Sequence, residues 1–143
     1  MKNRAATIYD AGNARFAVTT STNTALAVVK ALLKPEETAN KHIFLSDFTT
    51  TPRAIVAALE QATGEKFSVT QKESAPELKA LRERYDNGET EAVFGILAIS
   101  FVGDIDIGYD FEREQVVWNE KLGLPKVRLE EVVEEAVALA ERS

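Results

Sequence analysis

The chain is 143 residues long, enough for one domain that buries roughly two thirds of its unfolded surface. Its net charge is −6 with acidic and basic residues interleaved, which argues against nucleic acid as a partner because that binding rests on Lys/Arg clusters that displace counterions. It has no cysteine, which removes disulfides, thiolate catalysis and sulfur-ligated metals.

In chain order, residues 7–9 and 16–18 read as short strands around a turn at Asp10-Ala11-Gly12-Asn13, whose residues tolerate positive φ. Thr20 or Ser21 caps a helix with Leu26, Val29, Leu32 and Leu33 on one apolar stripe, stopped by Pro35. Residues 42–45 form a second short strand. Thr51 and Pro52 open the next helix as N-cap and first helical residue. Ile55, Val56, Leu59 and Ala62 make its buried face, and Gly64 ends it.

Residues 66–70 alternate like a strand. Ser74-Ala75-Pro76-Glu77 matches a capping box, and Leu78, Leu81 and Tyr85 carry that helix to Asn87-Gly88. Residues 89–101 are apolar nearly all round after the first turn, which predicts a helix buried on several sides. Residues 103–111 make a loop or strand with aspartates at alternate positions. The last helix, 129–141, turns Leu129, Val132, Val133, Ala136, Val137 and Ala140 inward.

The fold class expected is therefore α/β (α+β): a single compact domain over 1–143, helix-rich with a few short strands. The longest apolar run, 92–99, is far short of the roughly 20 residues of a membrane span. With no N-x-Ser/Thr sequon and no apolar leader after Met1-Lys2-Asn3-Arg4, a cytoplasmic protein is expected.

Several motifs fall in a telling order. Ala6-Thr7-Ile8-Tyr9-Asp10 is followed by Gly12-Asn13 and Arg15-Phe16. Pro35-Glu36-Glu37-Thr38-Ala39-Asn40 comes next, then Ala57-Ala58-Leu59-Glu60 leading to Thr63-Gly64-Glu65-Lys66. Trp118-Asn119-Glu120-Lys121-Leu122-Gly123-Leu124-Pro125 closes the set. Together they resemble the C-terminal, substrate-binding half of the fungal NmrA-like and isoflavone-reductase-like NAD(P) proteins. Ala11 stands where that family's Y-D-G-G-N turn has its first glycine.

The resemblance implies a substrate-side fold without the dinucleotide-binding half. The seven glycines never form G-x-G-x-x-G, and no Y-x-x-x-K pair exists, since Asn13, Glu89 and Arg113 stand four residues beyond Tyr9, Tyr85 and Tyr109. No cofactor and no cofactor-binding residue are carried over. A domain deprived of its packing partner is expected to leave apolar surface uncovered and to form a homodimer.

Asp104, Asp106 and Asp110, with Tyr109, are the candidate catalytic residues. If 104–106 is extended, two carboxylates share a face, and their repulsion raises one pKa until it serves as an acid beside a base. The alternative is a solvated strand edge. A calcium loop is disfavoured, because Gly108 stands at the fifth loop position and Gln115 where the bidentate Glu belongs.

His42, the single histidine, reads as a surface residue beside Lys41, and no metal site is expected. Asp47, Thr49 and Arg53 lie where a strand gives way to a helix, the usual ligand end of an open α/β sheet. Phe94, Phe101, Phe111 and Trp118 form core or the wall of a pocket for a small hydrophobic or aromatic molecule.

The first functional reading is a cofactor-independent enzyme of fungal secondary metabolism, an isomerase or cyclase working by orientation and acid–base groups. The alternatives are a non-catalytic binding or regulatory module, and a truncated substrate domain of an NAD(P)H-dependent oxidoreductase.

Overall fold

The computed structural model describes residues 4–105 and 108–142. Helix takes 51% and strand 13% of these residues, so the expected helix-rich α/β pattern with a few short strands forms. β1 (Ala5–Tyr9) ends in a tight turn in which Asp10 and Gly12 take φ of 49° and 69°, and β2 (Phe16–Val18) follows. α1 (Ser21–Leu32) starts on Thr20, whose Oγ1 accepts from Asn23 N at 3.3 Å. α2 (Pro35–Thr38) is a single turn.

The strand expected at 42–45 does not form. Phe44 makes an isolated parallel bridge with Val117, and the strand that does form is β3 (Phe48–Thr50). It pairs antiparallel with β2, Phe16 opposite Thr50 and Val18 opposite Phe48, and Asp47 N extends the ladder to Val18 O at 2.8 Å. Among the described residues, 42–45 have a strand neighbour only at that bridge, where Trp118 N donates to Phe44 O at 2.9 Å, so the ladder sits a few residues later in the chain.

α3 (Pro52–Thr63) is capped by Thr51 Oγ1, which accepts from Ala54 N at 3.1 Å, and ends on Gly64 at φ 69°. β4 (Ser68–Lys72) starts two residues later than the alternation suggests and pairs parallel with β1, Ala5 opposite Ser68 and Tyr9 opposite Lys72. α4 (Ser74–Asp86) begins without the capping box: Ser74 N donates instead to Asp10 Oδ1 at 2.8 Å. A carboxylate from the β1 turn does the work expected of a neighbouring side chain.

α5 (Ala92–Val102), the single turn α6 (Phe111–Glu114) and α7 (Leu129–Arg142) complete the chain. α7 packs on α3 with Val133 and Val137 buried, although Ala136, expected inward, is exposed. Ala27, Trp118 and Leu122 form a buried cluster flanked by Ile43, Leu45 and Leu124.

Two expected faces are not buried. On α1, Ala27 and Asn23 point inward while Val29 is 56% exposed and Leu32 and Leu33 are each 76% exposed. On α5, Ala92 and Ile99 are buried but Phe94 is 71% exposed and Leu97 48%. Both helices are apolar on more sides than the described residues cover. No helix among the described residues is long and apolar enough to cross a membrane.

Candidate functional site

A cleft of about 250 Å³ opens between the β1–β2 turn, the end of α5 and α6. Asn13, Arg15, Ser100, Phe101, Asp104, Tyr109, Asp110, Arg113 and Glu114 are among its lining residues. The chain places them there by long-range bonds. Ala17 N donates to Tyr109 O at 2.8 Å, setting residue 109 beside β2. Asp104 N donates to Asp10 Oδ2 at 2.9 Å and Asp104 Oδ2 accepts from Ala11 N at 3.1 Å, a reciprocal clasp between the β1 turn and the end of α5.

The aromatic wall is tight. The Phe101 and Tyr109 rings stack with centroids 4.1 Å apart and planes 15° off parallel, and Phe16 meets Phe101 edge-on at 6.4 Å. The polar side is an ion pair. Arg15 Nε donates to Asp110 Oδ2 at 2.7 Å; the Asp110 side chain is 4% exposed and that of Arg15 55%. The hydrogen bond to Asp110, then its charge, holds the Arg15 guanidinium above its ordinary pKa. Asp110 Oδ1 is buried and has no partner among the described residues.

Of the catalytic candidates, Asp104, Tyr109 and Asp110 thus meet in one cleft with Phe101, and Asp106 lies outside the described residues. Asp104 is exposed at the end of α5, in a bend rather than a strand.

The other candidates are elsewhere. Phe94 is on the uncovered face of α5, and Phe111 opens α6 with its ring edge-on to Phe44 at 5.2 Å. Trp118 is 8% exposed in the core, with Lys121 Nζ 4.7 Å and Lys41 Nζ 5.7 Å from its ring centroid. Thr49 sits mid-β3 with its hydroxyl buried and unpartnered among the described residues. Arg53 Nε donates to Ala11 O. His42 is exposed, its ring edge-on to Phe44 at 6.3 Å.

Asp47 is saturated. Oδ1 accepts from Asn23 Nδ2 at 2.7 Å and Asn119 Nδ2 at 3.0 Å, and Oδ2 from Thr20 N at 2.9 Å and Thr20 Oγ1 at 2.8 Å. A carboxylate so engaged holds loops together and has little left for a ligand. Among the described residues no group of three or more acidic, histidine or cysteine side chains could hold a metal ion.

Arg15 and Arg113 are the cationic cleft residues that reading along the chain passes over, as it does Asn13, Ser100 and Glu114. Arg15 falls one position before β2, where nothing local distinguishes it from a solvated cation. Its role follows from Asp110, which lies 95 residues away in sequence.

A helix-rich α/β fold with one amphipathic cleft beside a half-buried ion pair is the class of protein these features define. No protein-family model matches the chain. Over 130 residues, 90% of its length, it is 28% identical to the oxidoreductase aprR of Aspergillus flavus. The match covers 43% of that protein, so the chain spans less than half the length of this curated relative. The chain therefore has partial homology to a fungal oxidoreductase.

Proposed function

We propose that the chain is a single domain acting as the substrate-side portion of an oxidoreductase-like protein of NmrA-like type, with the α5–α6 cleft holding a small aromatic or apolar molecule. The partial match to aprR carries this reading, because it spans nearly the whole chain but under half of the relative. The cleft supports it, since a few convergent polar groups against an aromatic wall are what a small ligand needs. In this reading the dinucleotide is not held by these residues, which carry no glycine-rich phosphate loop.

Calorimetry with NADPH tests it. NADPH in large excess is expected to leave the unfolding temperature unchanged; a rise of several degrees would show a dinucleotide site in the chain itself and overturn the reading.

A second reading is a cofactor-independent isomerase or cyclase of secondary metabolism. Its support is that Asp104, Tyr109 and Asp110 line the same small volume. Turnover of a ligand without added cofactor would favour it, whereas binding without turnover leaves a binding or regulatory module. The uncovered faces of α1 and α5 support a homodimer, in which a second copy covers what the chain leaves exposed.

A further inference from the structure

Arg15 and Asp110 meet through one hydrogen bond, Nε to Oδ2. A guanidinium and a carboxylate commonly pair through two parallel bonds, and here the second is missing. Asp110 Oδ1 is a buried acceptor without a donor among the described residues. The Nη groups of Arg15 likewise make no hydrogen bond to a described residue, and the Arg15 side chain is 55% exposed. A donor and an acceptor are thus left over on one ion pair, both belonging to side chains that line the cleft.

We infer that the Arg15–Asp110 pair is a recognition fork for a small flat ring carrying a carbonyl beside an N–H or O–H, as in a lactam or an ortho-hydroxycarbonyl. The inference rests on the small-molecule reading of this cleft. The ring carbonyl accepts from Arg15 Nη and the adjacent N–H or O–H donates to Asp110 Oδ1. The ring lies against the stacked Phe101–Tyr109 pair.

Size agrees: an apolar cavity of about 150 Å³ takes a benzene, so about 250 Å³ accommodates one substituted ring. Oδ1 is shielded from solvent, so binding requires the carboxylate to turn about χ2, a soft torsion for aspartate, with the half-exposed Arg15 side chain following Oδ2. Selectivity comes chiefly from Asp110, because a ligand without the donor leaves the buried Oδ1 unmet.

The test is an NMR titration of the ¹⁵N-labelled chain with 2-pyridone, N-methyl-2-pyridone and benzene. 2-Pyridone is expected to shift the amides of Arg15, Phe101, Asp104 and Tyr109. N-methyl-2-pyridone, which keeps the carbonyl and loses the donor, is expected to bind at least about tenfold more weakly. Arg15→Lys keeps a positive charge beside the buried Asp110 carboxylate but lacks the planar fork, and it is expected to weaken the preference while leaving the spectrum folded. Asp110→Asn, which turns one of the two acceptor oxygens into an amide donor, is expected to erase the preference as well, with the amide dispersion of the same spectra checking the fold.

Equal binding of all three probes would overturn the fork and leave the cleft as an apolar ligand site. Shifts confined to the apolar groove along α1, lined by Val28, Leu32, Ile43 and Leu45, would overturn it as well. No shift with any probe would sink both the fork and the small-molecule reading beneath it.

Discussion

Asn119 donates to the Asp47 carboxylate at 3.0 Å and accepts Ser46 N at 3.0 Å, which ties the closing Trp118–Pro125 motif to the segment before β3. Asp47 in turn holds Thr20 and Asn23, the first turn of α1, while Asn23 Nδ2 also reaches Pro125 O at 2.9 Å. Three stretches far apart in sequence converge on one carboxylate.

Asp47→Ala removes four hydrogen bonds and leaves the Asn23 side-chain amide, in a residue 1% exposed, with the Pro125 carbonyl as its remaining acceptor. A buried polar group left unpaired costs about 1–3 kcal/mol, so the variant is expected to lose about 3 kcal/mol or more in urea unfolding. Asn119→Ala breaks one of the four Asp47 contacts and should cost about 1–2 kcal/mol. Equal and small effects of the two would contradict the central place given to Asp47.

Gly12 sits at φ 69°, and a Cβ there would lie 2.4 Å from Ile8 Cγ2. Ile8 is 4% exposed and cannot swing away. Gly12→Ala is expected to destabilise by about 2 kcal/mol or more, from backbone strain plus the clash. Gly88→Ala, also at positive φ but facing open space, should cost less, and denaturation of the two variants side by side measures the difference.

The Ser74 hydroxyl and amide, with the Asp104 amide, hold the Asp10 carboxyl below its ordinary pKa of 3.8. Because the folded-state value lies under the unfolded one, ionised Asp10 stabilises the fold at higher pH. That contribution is lost as pH falls below about 4 and through the folded-state pKa. Asp10→Asn, which tolerates the positive φ, is expected to be less stable than wild type at pH 6 and to close the gap toward pH 3. Glu60 and Glu131 are lowered too, by Lys66 and by Arg128, so some acid sensitivity remains in the variant. A gap that stays constant with pH would refute the assignment.

Size-exclusion chromatography with light scattering is expected to show a dimer at micromolar concentration. Charging the uncovered faces with Leu32→Lys and Phe94→Lys should shift it to monomer without unfolding, since both side chains are more than two thirds exposed. A wild-type monomer under those conditions would end the self-association proposal.

Local chemistry was legible from the residues alone. Thr51, Pro52 and Gly64 bound α3 as expected, and Thr20 caps α1, because caps and stops act within one helical turn. The turn at Asp10–Gly12 was visible for the same reason. Partner-dependent features were not. The apolar stripe of α1 says that something covers it, but the pattern is the same whether the cover is this chain's core or another surface. The capping box at Ser74 lost to an aspartate 64 residues away, and no local rule registers such a competitor.

The aspartates near residue 104 read in sequence as a string of nearby carboxylates; their meaning comes from position. Asp104 is a clasp on the β1 turn and Asp110 is half of an ion pair with Arg15. Composition and short-range pattern thus established a helix-rich α/β chain, its helix ends and its tight turns, all set by contacts a few residues apart. Which face of each helix is buried, where the ladder falls and which side chains share a cleft were settled by tertiary packing. Burial, hydrogen bonding and charge pairing are satisfied between segments that lie up to 102 residues apart in the sequence.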